Sequence, residues 1–431
     1  MIVTLSLSKD SVVRITGPAK VEVKKGKILL VGAVYEPNSS IIIHRLRSYG
    51  LKALEDSELS VTLGTGATVE EPSEGEEVVD EWLRICEVLE KDMGKLSRLT
   101  VMILGPIESG KTTLTAFISN YFIQKGKKVG LIDADIGQED VAIPTTIALA
   151  EPKDVFVWQR DLSPKMIKFV GCISPQYCQN NVMAALMNLL NEVKDLYEVL
   201  IINTDGWVTT PQALEFKLSL IRWLKPTHVL VLNTDLATYI QRSLPKNVKV
   251  LNTPRPAKVK ERSREERRRL RAEAYRKYFS NAKERDIDLN DVKIFGSCLL
   301  SGKELSIDEV KNLIRIPEEL INKIAYVSKY YNIINIFIEA ETIPYLPRIE
   351  SQQGLEVNIL KPQDQEGIVV GILDNTLRDV AVGIIKKIDL RKKSIRILTP
   401  WEGPIGALVV GRVKVSLDTF EDTSRLGKCV I

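Results

Sequence analysis

Apolar and polar residues alternate over short stretches in the first 75 positions of the chain. VEVKKGKILLVGAVY, SIIIHRL and ELSVTLG show this alternation, and Gly, Pro, Asn and Ser separate them. A two-residue period places successive side chains on opposite faces of a strand, and closely spaced turn residues are typical of antiparallel sheets. We therefore predict an N-terminal β domain over residues 1–75.

An acidic stretch followed by a short helix comes next. Residues 68–83 contain seven acidic side chains and no basic one. Apolar residues then recur from Val78 to Leu89 at the three- to four-residue spacing of one helix face. This pattern predicts an acidic linker and an amphipathic helix over residues 76–97.

The pattern changes at about residue 98 to strands that alternate with helices. RLTVMILG, KKVGLID, YEVLIINTDG and THVLVLNTD are apolar runs of strand length, and KTTLTAFISNYFIQ is a helix that ends before Gly126. Continuous apolar runs are typical of parallel strands that are covered on both faces. Alternation with helices therefore predicts a doubly wound α/β domain over residues 98–300.

A strand pattern returns beyond about residue 330. INIFIEAE, GIVVGILD, DVAVGIIKKID, KSIRILTP and GALVVGRVKV each have strand length and composition. They predict a C-terminal β domain over residues 330–431. The chain is thus expected to be an α/β protein in which a central, doubly wound and mainly parallel sheet is flanked by two β domains.

The composition excludes several classes of protein. With 431 residues, 44% hydrophobic and 27% charged, the chain can form real cores and is not disordered. No apolar run approaches the roughly 18 residues of a membrane span, and the N-terminus does not resemble a signal peptide. Five cysteines without a C-x-x-C pair predict a reducing compartment, no disulfide framework and no zinc site. We expect a cytoplasmic protein, nuclear if eukaryotic, with no membrane partner.

The basic residues are concentrated in one segment. Residues 258–278 carry ten basic and four acidic side chains, a net +6 in a chain whose total charge is +4. Charge this concentrated indicates a local anionic partner. On charge alone, however, a solvated surface helix is the simpler interpretation.

A complete G-x-x-x-x-G-K-[ST] pattern lies between the first predicted strand and helix of the central domain. Its glycines allow the backbone N–H groups to surround phosphate oxygens at a helix N-terminus. Lys111 supplies a cation for the β and γ phosphates, and the Thr112 hydroxyl can bind Mg²⁺. We predict a nucleoside triphosphate site formed by Gly105, Pro106, Ile107, Glu108, Ser109, Gly110, Lys111, Thr112 and Thr113.

Carboxylates at two strand ends compete for the place beside the metal ion. Asp133 and Asp135 end KKVGLID, and Asp205 ends YEVLIINTD. Residues at i and i+2 point to the same side of an extended chain, so one can hold metal while the other accepts a proton. We favour the first pair.

The nucleotide is expected to be ATP. A GTPase carries N-K-x-D after a later strand, but VLVLNTD offers Asn233 at the wrong spacing and without a following Lys. Glu108 also stands where GTPases of the maturation-factor type often carry an additional Lys. Guanine specificity is therefore unsupported.

Five motifs in a fixed order resemble a known family. GPIESGKTT, DADIGQEDVAIP, FVGCISP, NTDGWV and RSREERRRLRAEAYRKYF are similar to segments of the Clp1/Grc3/Nol9 family of polynucleotide 5′-hydroxyl kinases, in particular its archaeal members. The resemblance implies a P-loop domain between two β domains. It also implies transfer of the γ-phosphate of ATP, with Mg²⁺, to the 5′-OH end of RNA or DNA, and RNA-processing proteins as further partners.

The same resemblance implies roles for individual residues. Asp133 corresponds to the family's base, and Asp135 is assigned to Mg²⁺ together with Thr112. Asp205 lies inside the motif next to the acceptor end, so its rival claim on the metal stays open. The end of the nucleic acid is assigned Gln138, Ser174, Thr204 and Trp207.

The basic segment resembles the family's lid, over about residues 258–279. Arg267 and Arg271 match its R-x-x-x-R pattern, while Arg264 and Arg268 repeat the spacing, so the register stays open. Arginines of a lid can close over the transferring phosphoryl group. An alternative is an ATP-binding structural subunit of an RNA-processing complex without turnover, but such a subunit needs neither the lid nor an acceptor-side carboxylate.

Overall fold

The computed structural model describes residues 1–193, 195–245, 248–257, 262–339, 350–351 and 354–427. Residues 258–261 of the predicted lid, parts of the predicted C-terminal β domain and Cys429 lie outside the described residues. The predicted domain limits stay predictions. The chain forms two compact units. The first consists of Met1–Ala142, Ile147–Met166 and Ser174–Glu266, and the second of Ile143–Thr146, Ile167–Ile173 and Arg267–Ile431.

The N-terminal part of the first unit consists of antiparallel strands. These are β1 Ile2–Leu7, β2 Val12–Thr16, β3 Ala19–Lys25, β4 Ile28–Leu30, β5 Ala33–Tyr35, β6 Ser40–Ile43, β7 Ser48–Ala53, β8 Ser57–Leu63 and β9 Thr68–Glu70. They form two sheets, in the orders β1-β8-β3-β6 and β5-β4-β7-β2-β9. Every second residue of β7 is buried, as the alternating pattern predicts for a sheet covered on one face.

The central part alternates strands and helices. The elements are α1 Val79–Met93, β10 Leu99–Leu104, α2 Lys111–Gln124, β11 Val129–Ala134, β12 Thr146–Ala150, β13 Pro164–Phe169, α3 Gln179–Glu192, β14 Val199–Thr204, α4 Pro211–Leu224, β15 His228–Val231, α5 Thr234–Ser243, β16 Lys249–Asn252 and α6 Arg264–Tyr278. The sheet order is β13-β12-β11-β14-β10-β15-β16, and the pairs from β11 to β16 are parallel. The predicted doubly wound, mainly parallel sheet is confirmed.

The sheet order decides where the chemistry lies. Strands β10, β11 and β14 are buried at every position, because helices cover both faces of the sheet. Trp82 and Leu89 of α1 pack with Phe117 of α2 in one apolar core. The carboxyl ends of the three adjacent strands therefore carry the P-loop, the Asp133 turn and the Asp205 turn side by side.

The C-terminal part, in the second unit, is again rich in strands. Its elements are β17 Lys283–Asp288, β18 Lys293–Phe295, α7 Cys298–Ser301, β19 Lys303–Glu304, α8 Ile307–Lys311, β20 Ile314–Arg315, α9 Glu318–Ile321, β21 Ile324–Tyr330, β22 Ile333–Ile338, β23 Glu350–Ser351, β24 Glu356–Leu360, α10 Pro362–Gln365, β25 Ile368–Leu373, β26 Asp379–Asp389, β27 Ser394–Thr399, β28 Ala407–Val415 and β29 Asp422–Arg425. The larger sheet has the order β17-β27-β26-β25-β28-β18, with β29 beside β28. A smaller sheet runs β19-β21-β22-β24.

The structure also bears on the predictions about membrane spans and cysteines. Every helix within the described ranges is too short or too polar to cross a membrane. Cys86, Cys172 and Cys178 are buried thiols, whereas Cys298 is disulfide-bonded. The sequence-based expectation of no disulfide framework did not foresee this bond.

Candidate active site

The loop between β10 and α2 has the tight backbone that a phosphate site requires. Gly110 has a φ of 94°, a left-handed conformation that favours glycine. Glu108 adopts a φ of 59° without being a glycine, which costs on the order of 1 kcal/mol. A Cβ atom at Gly105 would lie 2.6 Å from the Ser109 Oγ atom, so only glycine fits there.

The other residues of the loop differ in exposure. Ile107 is exposed, and Thr112 and Thr113 at the start of α2 are half-buried. The hydroxyl of Ser109 is buried and, within the described part of the chain, has no hydrogen-bond partner. A buried hydroxyl without a partner is costly, so this atom is suited to a ligand oxygen.

Lys111 is buried within the P-loop. Its Nζ atom donates hydrogen bonds to the carbonyl oxygens of Gly105, at 3.0 Å, and Pro106, at 2.7 Å. Burial lowers the pKa of Lys111 to about 8, against the opposing effect of the Asp135 and Asp205 charges. A desolvated cation held by neutral carbonyls is a strong binding point for phosphate oxygens.

Asp133 is completely enclosed. Its Oδ1 atom accepts hydrogen bonds from the Asp135 amide at 3.1 Å and the Asn203 side chain at 3.0 Å, and Oδ2 accepts from the Asp140 amide at 2.9 Å. The side chain is 0% exposed, and burial raises the pKa of Asp133 to about 8. Both oxygens are thus engaged in holding the turn, and this geometry disfavours Asp133 as the base.

Asp135 has the more accessible carboxylate. Its Oδ1 atom accepts hydrogen bonds from the amides of Gly137, at 3.3 Å, and Gln138, at 3.1 Å. No donor among the described residues is bonded to its Oδ2 atom, and the residue is only half-buried. Burial raises the pKa of Asp135, while the charge of Lys111 opposes the rise. Asp135 is therefore the better candidate for contact with metal or acceptor.

Asp205 is neutralised by a neighbour that the sequence did not suggest. Its Oδ2 atom lies 2.5 Å from the Lys217 Nζ atom, and the side chains are 7% and 0% exposed. Its Oδ1 atom accepts a hydrogen bond from the Trp207 amide at 2.8 Å. A carboxylate engaged on both oxygens is a poor metal ligand, so the geometry favours Asp135 over Asp205 for that role.

The Thr204–Trp207 turn packs directly on the P-loop. The Thr204 hydroxyl is buried and donates to the Ile103 carbonyl at 2.8 Å. A Cβ atom at Gly206 would lie 2.7 Å from the Ile107 amide nitrogen, which requires glycine at this position. Thr204 thus fixes the turn internally, whereas Trp207 is half-buried and presents part of its ring.

Gln138 and Ser174, the other two residues assigned to the acceptor end, are both half-buried. The Gln138 side chain donates to the Gly137 carbonyl at 2.8 Å. Ser174 precedes one turn of 3₁₀ helix, Pro175–Tyr177, and its carbonyl accepts from the Cys178 thiol at 3.4 Å. Both side chains have enough exposure to contact a ligand.

The buried pair of Asp205 and Lys217 supports a stability prediction. Lys217→Met leaves the Asp205 carboxylate buried without its cation, so we expect the free energy of unfolding to fall by about 3–5 kcal/mol. Denaturant unfolding measures this, with exposed Lys225→Met, at the residue that directly follows the same helix, as the control. The double variant Lys217→Met/Asp205→Asn should recover part of the loss. A Lys217→Met protein as stable as the wild type would contradict the pairing.

Two arginines of the predicted lid segment, Arg268 and Arg271 in the second unit, have carboxylate partners. Arg271 donates from Nε and Nη2 to the two carboxylate oxygens of Asp422, at 3.0 and 3.1 Å. Arg268, in the alternative register, lies 3.2 Å from Glu421. Arg267 is half-buried and Arg264 is exposed. The two-point pairing of Arg271 favours a structural role for that residue.

Arg262, which the sequence interpretation did not single out, lies beside the P-loop in the first unit. Its amide donates to the Glu108 Oε1 atom at 2.8 Å. Burial and the nearby Arg47 guanidinium lower the pKa of Arg262. The sequence does contain a signal for this position. Ser263 and Glu266 have the spacing of a capping box, and in the structure they form its reciprocal bonds, which places Arg262 just before the helix.

The chain is similar to proteins of a known family. A family model described as the P-loop of the mRNA cleavage and polyadenylation factor CLP1 matches residues 105–281. A polyribonucleotide 5′-hydroxyl-kinase of Pyrococcus abyssi is 31% identical over 328 residues, which cover 74% of this chain and 89% of that protein. The chain belongs to the Clp1 family. The resemblance predicted from the five motifs is confirmed.

Other Clp1-family proteins match in the same way. A polyribonucleotide 5′-hydroxyl-kinase of Methanocaldococcus jannaschii is 30% identical over 311 residues, 70% of this chain and 82% of the relative. A solved structure of wild-type Clp1p in complex with Pcf11p has a TM-score of 0.66 and 15% identity, and covers 96% of this chain and 98% of that chain. This likeness confirms the predicted fold class.

Proposed function

We propose that this Clp1-family protein is a polynucleotide 5′-hydroxyl kinase that transfers the γ-phosphate of ATP to the 5′-OH end of RNA or DNA. The observation that supports it most is the buried P-loop lysine, Lys111, which the Gly105 and Pro106 carbonyls hold after β10, with the half-buried carboxylate of Asp135 directly after β11 of the same sheet. A phosphate-binding cation and an acceptor-side carboxylate are the two groups that such a transfer needs. The names of the archaeal relatives supply the acceptor class.

The residues of the loop fit a nucleotide with Mg²⁺. The hydroxyl of Thr112 is a hard oxygen donor, of the kind that Mg²⁺ binds together with phosphate oxygens and water. The buried Ser109 hydroxyl and the positive N-terminus of α2 suit phosphate oxygens. Bound Mg²⁺ supplies charge neutralisation at the β and γ phosphoryl oxygens.

Each protein group then has one task. Lys111 exchanges its two carbonyl partners for phosphate oxygens and balances negative charge there. Asp135 accepts or orients the proton of the 5′-hydroxyl, and Asp133 holds the turn that carries Asp135. This assignment moves to Asp135 the base role that the family resemblance implies for Asp133, because the oxygens of Asp133 are occupied. Trp207 stacks on the terminal base, worth roughly 1–3 kcal/mol.

Arginines from the basic segment balance charge in the transition state. Arg262 is a candidate because its backbone amide bonds to Glu108 of the P-loop, within the first unit. Arg267 is assigned to this role because it matches the lid pattern of the family. A guanidinium can donate two parallel hydrogen bonds to phosphoryl oxygens, which an ammonium group cannot do.

Replacement of Arg267 is expected to affect the kinase rate, whereas replacement of Arg271 is expected to affect stability. Arg267→Ala is expected to lower kcat by on the order of 10³ with almost unchanged melting temperature, as for other arginines that contact a transferring phosphoryl group. Arg271→Ala removes the two bonds to Asp422 and should lower the free energy of unfolding by about 1–3 kcal/mol. Steady-state kinase rates and thermal melts of both variants measure the difference, with Lys277→Ala, exposed near the end of the same helix, as the control. Unchanged rates in both, and in the Arg264→Ala and Arg268→Ala variants of the alternative register, would show that this helix is a solvated surface.

A transfer assay tests the proposed function directly. The protein is incubated with γ-labelled ATP, Mg²⁺ and single-stranded RNA or DNA oligonucleotides that end in a 5′-OH. Label should appear at the 5′ end, and matched oligonucleotides with a 5′-phosphate should remain unlabelled. Absence of transfer to either nucleic acid, from protein that binds ATP, would refute the kinase assignment.

A second candidate is an ATP-binding structural subunit of an RNA-processing complex. The solved structure that shares the fold is a Clp1p–Pcf11p complex, which favours protein partners for this chain as well. In that case the nucleotide would bind to the P-loop without turnover. The assay above separates the two, because nucleotide binding without transfer is the outcome that a structural subunit predicts.

A further inference from the structure

A buried cluster of charges connects the N-terminal sheets to the loop after β11. Asp140 of that loop lies 2.7 Å from the Arg47 Nη2 atom and 2.9 Å from the Arg160 Nε atom. The three side chains are only 9–12% exposed. Arg47 directly precedes β7, so its charge comes from a different sheet than the loop it contacts.

An aromatic ring fixes the two guanidinium groups. The Cζ atoms of Arg47 and Arg160 lie 4.6 and 4.9 Å from the Trp158 ring centroid. Such cation–π contacts are strongest when they are desolvated, as here. The Tyr49 hydroxyl of β7 also donates to the Val157 carbonyl at 3.1 Å. The cluster is therefore held in one arrangement from both sides.

The backbone amide of Asp140 helps to hold the turn that carries Asp135. This amide donates to the Asp133 Oδ2 atom at 2.9 Å, and the Oδ1 atom of Asp133 accepts from the Asp135 amide at 3.1 Å. The contacts thus run without a gap from Arg47 through Asp140 and Asp133 to Asp135. Arg47 and Arg160 outweigh the effect of burial and lower the pKa of Asp140 to about 2, so this anchor stays ionised.

We propose that Arg47 is a positioning residue for the kinase reaction. Through its ion pair with Asp140, the N-terminal β part of the first unit sets the place of the loop that carries Asp135. The inference rests on the proposed function, since it takes phosphoryl transfer as the reaction. A displacement of about 1 Å in a reacting group can cost about 10² in rate, so a remote anchor of this kind has a measurable effect.

The experiment compares Arg47→Gln with the exposed neighbour Arg45→Gln. We expect Arg47→Gln to lower kcat about 10–100-fold, with an ATP dissociation constant within about twofold of wild type, because no P-loop contact is removed. Arg45→Gln should change neither. Arg47→Lys, which keeps a charge near Asp140, should recover part of the rate.

Amide hydrogen exchange gives a second readout that does not depend on activity. The amides of Asp135 and Asp140 are held by Asp133, so a released loop should exchange faster over residues 133–141. Exchange in α2 should stay unchanged. If Arg47→Gln does not fold, the double variant Arg47→Gln/Asp140→Asn removes both charges of that pair, while Arg160 keeps its contact with the Trp158 ring.

The outcomes separate this inference from the proposed function. A wild-type protein that transfers no label refutes the kinase assignment, whatever the variants do. An active wild type with Arg47→Gln, or the double variant, at full rate and with a protected loop overturns the role of Arg47. A slower rate together with faster exchange of the loop, and an unchanged ATP affinity, supports it.

Discussion

Replacement of Lys111 by Ala is expected to reduce phosphoryl transfer by about 10³-fold or more, while the protein stays folded. The Lys111 ammonium group is the P-loop cation, and transfer depends on charge balance around the phosphoryl oxygens. Stability should not fall, because burial of this ammonium group already lowers its pKa and so costs free energy in the ligand-free protein. Transfer of label from ATP to a 5′-OH oligonucleotide, beside a thermal melt, measures both effects.

Lys125→Ala is the matched control for this prediction. Lys125 follows the same helix, α2, but lies at its far end and pairs with Glu90 at 2.8 Å on the surface. Its loss should leave the transfer rate unchanged. Wild-type turnover in the Lys111→Ala protein would show that the loop is not the phosphate site.

Asp135→Asn is expected to lower kcat by about 10²–10⁴ without loss of ATP affinity or melting temperature. Asparagine keeps the shape and the bonds from Gly137 and Gln138 but cannot accept a proton. Asp133→Asn should act differently. The side-chain NH₂ group of the new asparagine would face another N–H donor, either the Asp140 amide or the Asn203 side chain. Two buried donors that face each other should cost about 1–3 kcal/mol of stability.

The ratio of rate loss to stability loss distinguishes the two carboxylates. Single-turnover rates at saturating ATP and denaturant unfolding of both variants provide it. If Asp133→Asn has the larger rate loss and an unchanged stability, the base is Asp133, as the family resemblance implies. A silent Asp135→Asn variant would remove Asp135 from the chemistry.

The sequence predicted long, uninterrupted elements most closely. KTTLTAFISNYFIQ coincides with α2, and DVAVGIIKKID coincides with β26. The short strands between residues 293 and 315 were not predicted, because a run of two or three residues is too short to show a strand pattern. The position of β12, antiparallel to β11 in an otherwise mainly parallel sheet, depends on tertiary contacts that the local pattern does not contain.

The same limit applies to the site. The spacing of the P-loop residues was sufficient because its chemistry is local. Asp133 and Asp135 were predicted to share one side because an extended chain places residues i and i+2 together, but β11 ends at Ala134 and a turn begins at Asp135. Lys217 and Asp422 could not be foreseen either, since each reaches its partner from a distant element.

The buried charges around the P-loop occur in compensated groups. Lys217 neutralises Asp205, and Arg47 and Arg160 hold the carboxylate of Asp140. Salt screens buried interactions of this kind much less than it screens exposed charges. Attraction of a polynucleotide to the basic segment is expected to fall steeply with salt, so salt concentration should act selectively on one of the two substrates.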